Sequence, residues 1–304
     1  MAVDQLFRAS SPFVVSDNLT REFGREAVSF IGRHQHEPFF LLLAFNAPHA
    51  PFQAPQEVLD RFAHIGDPTR RTYAAMVSAM DDAIGEVLAK IAACGLEDHT
   101  LIFFLSDNGG PHGNGWNGSS NEPLRGGKGE SLEGGIRVPF LAQWKGRLPA
   151  GGVYENPVIA LDLLPTALAA AGVESKPEWQ LDGVNLLPYL EGKLSTPPHD
   201  VLFWRFIFRA NSGRFNWAIR QGDWKLVSEN SRIPGMRRAW RSVPKLFDLR
   251  VDPHEDHDLS DVEPDRAKAL AARWAAWDAE LMPPGQSSGQ RRSAGGAAAA
   301  PARP

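Results

Sequence analysis

An apolar run that ends directly on two hydrogen-bonding side chains constrains this chain more than any other feature. Leu101-Ile-Phe-Phe-Leu105 has the composition of a strand buried on both faces, and Ser106-Asp107-Asn108-Gly109-Gly110 follows it without a spacer. In open α/β sheets ligands bind beyond the carboxyl ends of the strands, so Asp107 and Asn108 place two hard oxygens where a site is expected. Such oxygens suit Ca²⁺ or Mg²⁺. An Asx turn leaving a strand would use the same residue types, and the pair alone does not separate the two readings.

The text that follows adds an anion-binding character. Gly126-Gly127-Lys128-Gly129 comes after a glycine-rich polar passage, and Glu133-Gly134-Gly135-Ile136-Arg137-Val138-Pro139 leads into a second apolar run, Phe140 to Trp144. Glycines beside a lysine let backbone and ammonium come close to an anion. Two look-alike motifs are discarded. Gly113-x-Gly115-x-x-Gly118 spells a dinucleotide fingerprint but lies well past the strand with no apolar helix after it, and Gly127-Lys128 lacks the hydroxyl residue and upstream glycine of a P-loop.

Elsewhere strands and helices alternate. Leu19, Phe23, Ala27, Phe30 and Ile31 recur at helical spacing behind Ser16-Asp17 as a plausible N-cap. Pro38 to Phe45 then reads as a buried strand ending in Asn46-Ala47-Pro48-His49, which would set His49 on the same rim as Asp107 if the two strands run parallel. Asp67-Pro68 caps a long helix with an apolar stripe from Tyr73 to Ile91, closed by Gly95. Asp81-Asp82 on that helix diverge in direction and read as solvated. Asp162 to Gly172 reads as a further capped helix.

Proline-rich text around 176–199 marks a boundary. Beyond it four short strand-like runs, from Val201, Asn216, Trp224 and Lys245, predict a small antiparallel sheet, followed by a helix over about Pro264 to Leu281. The tail from Pro283 has little to bury and is expected to be disordered. The expected class is therefore α/β, part of a doubly wound sheet over 1–198, with a small α+β domain over 199–282.

These motifs resemble the sulfatases, the formylglycine-dependent branch of the alkaline phosphatase superfamily. The likeness rests on Ser106-Asp107-Asn108-Gly109, Gly127-Lys128-Gly129 and Glu133-Gly134-Gly135-x-Arg137-x-Pro139, with Asn46-Ala47-Pro48-His49-x-Pro51 upstream and Asp162 to Thr166 and Leu181-Asp182-Gly183 downstream. The resemblance implies an alkaline-phosphatase-like fold and hydrolysis of a sulfate ester, on a small molecule or a glycan. It implies Asp107 and Asn108 as ligands of Ca²⁺ (or Mg²⁺), Lys128 and His49 as catalytic groups that contact the sulfate from two sides, and Arg137 as a scaffold residue. A phosphodiesterase or phosphonate monoester hydrolase of the same superfamily, or an inactive anion-binding protein, are the alternatives.

The likeness also has gaps. The family's cysteine-containing nucleophile segment, the source of its formylglycine, and its first-strand carboxylate pair both precede the Pro-His-x-Pro loop, and neither is found here. Cys94, the single cysteine, lies after His49 without the flanking proline and arginine, and reads as a small buried hydrophobe at a helix end. The expectation is a chain carrying the C-terminal part of a sulfatase. Asp252-Pro-His254-Glu255-Asp256-His257-Asp258 has metal-ligand residue types but reads as a solvated turn. With 32 basic residues interleaved among 36 acidic ones, the chain has no basic face for nucleic acid. No run reaches the roughly 18 apolar residues of a membrane span.

Overall fold

The computed structural model describes residues 6–8, 10–13, 18–113, 116–207, 214–232 and 243–281. They form two compact units: Met1–Leu105, Pro111–Ser120 and Pro139–Pro198 make the first, and Ser106–Gly110, Asn121–Val138 and His199–Pro304 the second.

In the first unit a short antiparallel pair, β1 (Leu6–Arg8) and β2 (Ser11–Phe13), precedes helix α1 (Leu19–His34). The cap of α1 falls on Asn18, whose side chain accepts the Thr20 N–H at 3.0 Å, and not on the expected Ser16-Asp17. After α2 (Gln56–Arg61) comes the long helix α3 (Pro68–Ala93), which begins as its sequence predicts: Asp67 accepts the Arg70 N–H at 2.7 Å and Pro68 takes the first helical position. Val58 of α2 is fully buried against Ala75 and Ala79 of α3. Gly24 of α1 faces Ala83 so closely that a Cβ there would lie 2.9 Å from the alanine methyl, which is how α1 and α3 approach each other. Asp82 stays at the surface, paired with Arg61 at 2.8 Å. Cys94 is half-buried at the helix end instead of sealed in a core.

One expected strand does not form. Residues 38–45 belong to no ladder, and Phe40 and Leu42 are 77% and 78% exposed, so this apolar run alternates between half-buried and open positions. The run at 101–105 does form a strand, β3 (Ile102–Leu105), paired antiparallel with β4 (Phe140–Gln143). Leu105 opposes Phe140, so the chain leaves and returns at one point, and everything between is a closed excursion carrying the one-turn helix α4 (Glu133–Ile136). Helices α5 (Leu163–Ala170) and α6 (Leu187–Leu190) follow. Asp162 does not cap α5; its fully buried carboxylate accepts the N–H groups of Ile159 and Val184, at 2.8 and 2.9 Å, and so ties two loops together.

The second unit contains the expected four-stranded antiparallel meander, β5 (Leu202–Ile207), β6 (Arg214–Gln221), β7 (Trp224–Arg232) and β8 (Lys245–Asp248), and the final helix α7 (Pro264–Glu280). Successive side chains of a strand point to opposite faces, which divides these residues into two sets. Phe215, Trp217, Ile219, Leu226 and Leu246 meet Leu270 and Trp274 of α7. The Trp274 ring stacks on Trp217 at 4.4 Å, and Trp277 lies nearly parallel on Phe203 at 4.8 Å. Ala218, Val227 and Phe247 form a second cluster, and the residue packed on it from outside the sheet region is Leu132 of the central excursion. The expected tail from Pro283 lies outside the described residues.

Candidate active site

The strand-end corner and the lysine loop are joined through backbone. Gly109 donates its N–H to Gly135 C=O at 3.0 Å, and Lys128 donates to Gly110 C=O at 3.2 Å. A Cβ on Gly109 would lie 1.8 Å from the Gly134 carbonyl oxygen, so glycine is required there for two chain segments to touch. Gly129, directly after Lys128, has φ +86, a conformation side chains rarely adopt. The glycines of the motifs therefore serve backbone-to-backbone packing, and not only close approach of a ligand. Asn121 completes the joint: its Oδ1 accepts from Gly110 N at 2.8 Å while its Nδ2 donates to the carbonyls of Gly110 and Gly126, at 2.7 and 3.0 Å.

The loop then crosses the small sheet residue by residue. Asn216 of β6 donates to Gly129 C=O at 2.8 Å. Ser131 N–H donates to the Glu229 carboxyl at 2.8 Å, Leu132 packs in the cluster of Val227, and Glu133 meets Lys225 at 2.8 Å. Glu229, Val227 and Lys225 alternate along one face of β7, so three consecutive loop residues are matched by three same-face strand residues.

Lys225 is wholly buried, as are Glu133 and Glu255. Its ammonium lies 2.8 Å from a carboxylate oxygen of each. The second Glu255 oxygen accepts the Glu133 N–H at 2.7 Å, and Arg125 donates to Glu255 C=O at 2.8 Å. Arg137 and Arg220 each stand 3.9 Å from the other Glu133 oxygen, which has no hydrogen bond. Two buried carboxylates thus share one buried ammonium. Burial pushes the Glu255 carboxyl up, against the pull of Lys225. Burial also lifts Glu229, to about 7; the Ser131 N–H and Lys225 act to lower it, while Glu130 and Glu255 raise it.

Of the residues singled out by sequence, Asp107, Asn108 and Lys128 fall in the second unit and His49 in the first. His49 is exposed, its ring Nδ1 2.9 Å from Ala50 C=O. Asp107 and Lys128 are exposed, and neither side chain has a hydrogen-bond or ion-pair partner among the described residues. Asn108 donates from its amide nitrogen to Gly109 C=O at 3.1 Å, which leaves its side-chain oxygen open to accept a hydrogen bond or ligate a cation. Asp107 and Asn108 fit a hard cation in kind and could supply two of its oxygens. No group of three or more His, Cys, Asp or Glu is arranged for a metal among the described residues.

Sequence reasoning missed Asn121, Lys225, Glu229 and the role of Glu255. Asp252 and its neighbours do form a turn, with Asp252 accepting the N–H groups of Asp256 and His257, but Glu255 at its centre is fully buried, not solvated. Its φ of +60 was the price of turning that side chain inward. No described helix is long and apolar enough to cross a membrane.

A family model described as Sulfatase matches residues 8–173, and one described as N-sulphoglucosamine sulphohydrolase, C-terminal, matches 128–273. The chain is 39% identical over 275 residues to N-acetylgalactosamine-6-sulfatase of Homo sapiens, covering 84% of this chain and 50% of that protein. It is 31% identical over 300 residues to steryl-sulfatase of Rattus norvegicus, covering 87% and 50%. It spans about half the length of the curated relatives it matches. Among solved structures, Ps i-CgsB in complex with k-i-k-neocarrahexaose superposes with a TM-score of 0.82 at 32% identity, covering 95% of this chain and 61% of that one. The expected α/β class is borne out by this likeness, and the small C-terminal sheet and helix by the elements themselves; the strand pairs among the described residues are all antiparallel.

Proposed function

The chain belongs to the sulfatase family, and from that premise we propose that it contributes the lysine side of a site that hydrolyses a sulfate ester, most simply one carried on a glycan. The observation that supports this reading is the backbone joint between the Asp107-Asn108 corner and the Lys128 loop, from which the carboxylate and the ammonium both emerge without described partners. The glycan class is supported by the carbohydrate bound to the similar Ps i-CgsB.

In this reading Lys128 binds the sulfate group and stabilises the charge that grows on the departing alcohol oxygen as the ester bond breaks. Such an interaction is strongest in the transition state, where a fixed cationic donor is worth most. His49 is the second sulfate contact in this proposal, as the family resemblance implies. Asp107 and Asn108 would hold a divalent cation, Ca²⁺ or Mg²⁺, which when bound supplies positive charge against the sulfate oxygens. Residues 1–198 are proposed as part of the catalytic α/β domain and 199–282 as the smaller domain.

Calorimetric titration of the chain with inorganic sulfate tests the lysine assignment. Sulfate should bind, and Lys128→Ala should weaken it at least about tenfold, the loss of one charge-assisted contact. Sulfate affinity equal in the two proteins would overturn the reading.

A further inference from the structure

Glu229 lies 98 residues beyond Ser131 in the chain yet accepts its backbone N–H at 2.8 Å. That contact sits between the two others that hold the lysine loop to the sheet, Asn216 on Gly129 and Lys225 on Glu133. Those two groups are an amide and an ammonium held between two carboxylates. The carboxyl between them is different. It faces Glu130 from the loop, Glu255 from the acidic turn and Lys225 from its own strand, so it sees more negative than positive charge. Glu130 is itself committed to the loop, with Oε2 accepting the Gly127 N–H at 3.1 Å.

We propose that Glu229 is a positioning residue for Lys128: in its neutral form it clasps the loop 127–131 onto the small sheet, and its ionisation loosens that clasp. The proposal rests on the reading of Lys128 as the sulfate contact, and adds to it a group that never touches the substrate. The physical reason is linkage. Where the loop is seated, burial and neighbouring carboxylates hold the proton on Glu229 to about pH 7; where the loop lifts and water enters, the carboxyl returns toward its ordinary 4.5. The seated form therefore binds more protons than the lifted one between those values, and rising pH favours lifting.

Hydrogen exchange at the amides of residues 127–131 reads this directly when expressed as protection relative to the unfolded rate. From pH 5 to pH 8 the loop-opening equilibrium should rise roughly 70-fold, the ratio that a shift from 4.5 to about 7 produces over that interval. Glu229→Gln keeps an oxygen to accept the Ser131 N–H but cannot ionise, so its protection should be high and flat across the same range. Sulfate affinity, measured by calorimetry, should fall more steeply with pH in the parent chain than in Glu229→Gln, and the difference between the two slopes is the part that belongs to the clasp. Protection that is flat in the parent, or that keeps its slope in Glu229→Gln, would overturn the clasp. A clasp that opens on schedule while sulfate affinity ignores it would overturn the positioning role. Sulfate affinity indifferent to Lys128→Ala refutes the lysine reading instead, and the exchange result still decides the clasp.

Discussion

Replacing Lys225 by methionine keeps most of the side-chain volume and removes the charge on which the loop and the acidic turn converge. Glu133 and Glu255 would be left facing each other, each at most 1% exposed, with the nearest remaining cations at 3.9 Å from Glu133. Breaking a buried ion pair from one side costs about 3–5 kcal/mol because a charge stays buried without its partner. Here two carboxylates lose the same partner, so Lys225→Met should sit at the upper end of that range, a large part of the roughly 5–15 kcal/mol that holds a domain together. The cost should depend on pH. Without the ammonium the Glu255 carboxyl, already pushed up by burial, retains its proton in the folded state to higher pH than in the unfolded chain, so stability falls as pH rises from the unfolded carboxyl value through the raised folded one. Urea unfolding followed by tryptophan fluorescence suits the test, since Trp217 and Trp274 stack within the same sheet's core. The deficit should be largest at pH 8 and shrink markedly at pH 5. Adding Glu133→Gln and Glu255→Gln to Lys225→Met should restore much of the loss. A deficit below about 1 kcal/mol at pH 8, or one equal at both pH values, would refute the account of this cluster.

Two further outcomes are expected. In Gly135→Ala the new methyl would stand 2.2 Å from Glu130 C=O and 2.6 Å from Gly127 C=O, so the loop must shift; a loss above about 3 kcal/mol in thermal or urea unfolding is expected, and a variant as stable as its parent contradicts the packing described. Ca²⁺ should bind the chain at no better than roughly 0.1–1 mM, since two oxygens from one strand end leave most of a shell of about 6–8 ligands to water, and Asp107→Ala should abolish even that. Micromolar binding that survives Asp107→Ala in a calorimetric titration would move the metal elsewhere.

Local signals were legible where local physics decides. Asp67-Pro68 caps α3 because both residues act on the helix's own first turn, and the strands from Val201 and Trp224 declare themselves through short runs rich in aromatic and aliphatic side chains. The run at 38–45 misled because an apolar stretch shows what a strand could bury, while a ladder also needs a neighbour with free N–H and C=O groups. The motif glycines and Lys128 were visible as text, but their seat was not. Within Trp224-Lys225-Leu226-Val227 an alternating lysine reads as the solvent side of a strand, and its partner Glu133 lies 92 residues earlier. Glu255 was hidden in the same way, inside a turn where Asp256 and Asp258 do lie at the surface.

The matching of Ser131, Leu132 and Glu133 to Glu229, Val227 and Lys225 bears on how such proteins can be recombined. A chimera joined at 198/199 would look safe, because the proline-rich text there separates helices from sheet. It would nonetheless set a resident lysine loop on a foreign sheet whose facing side chains were chosen for another loop. The exchangeable module is discontinuous, made of 106–110, 121–138 and the sheet with its helix, and grafts that move all three together should keep the loop's geometry where grafts of the sheet alone lose it.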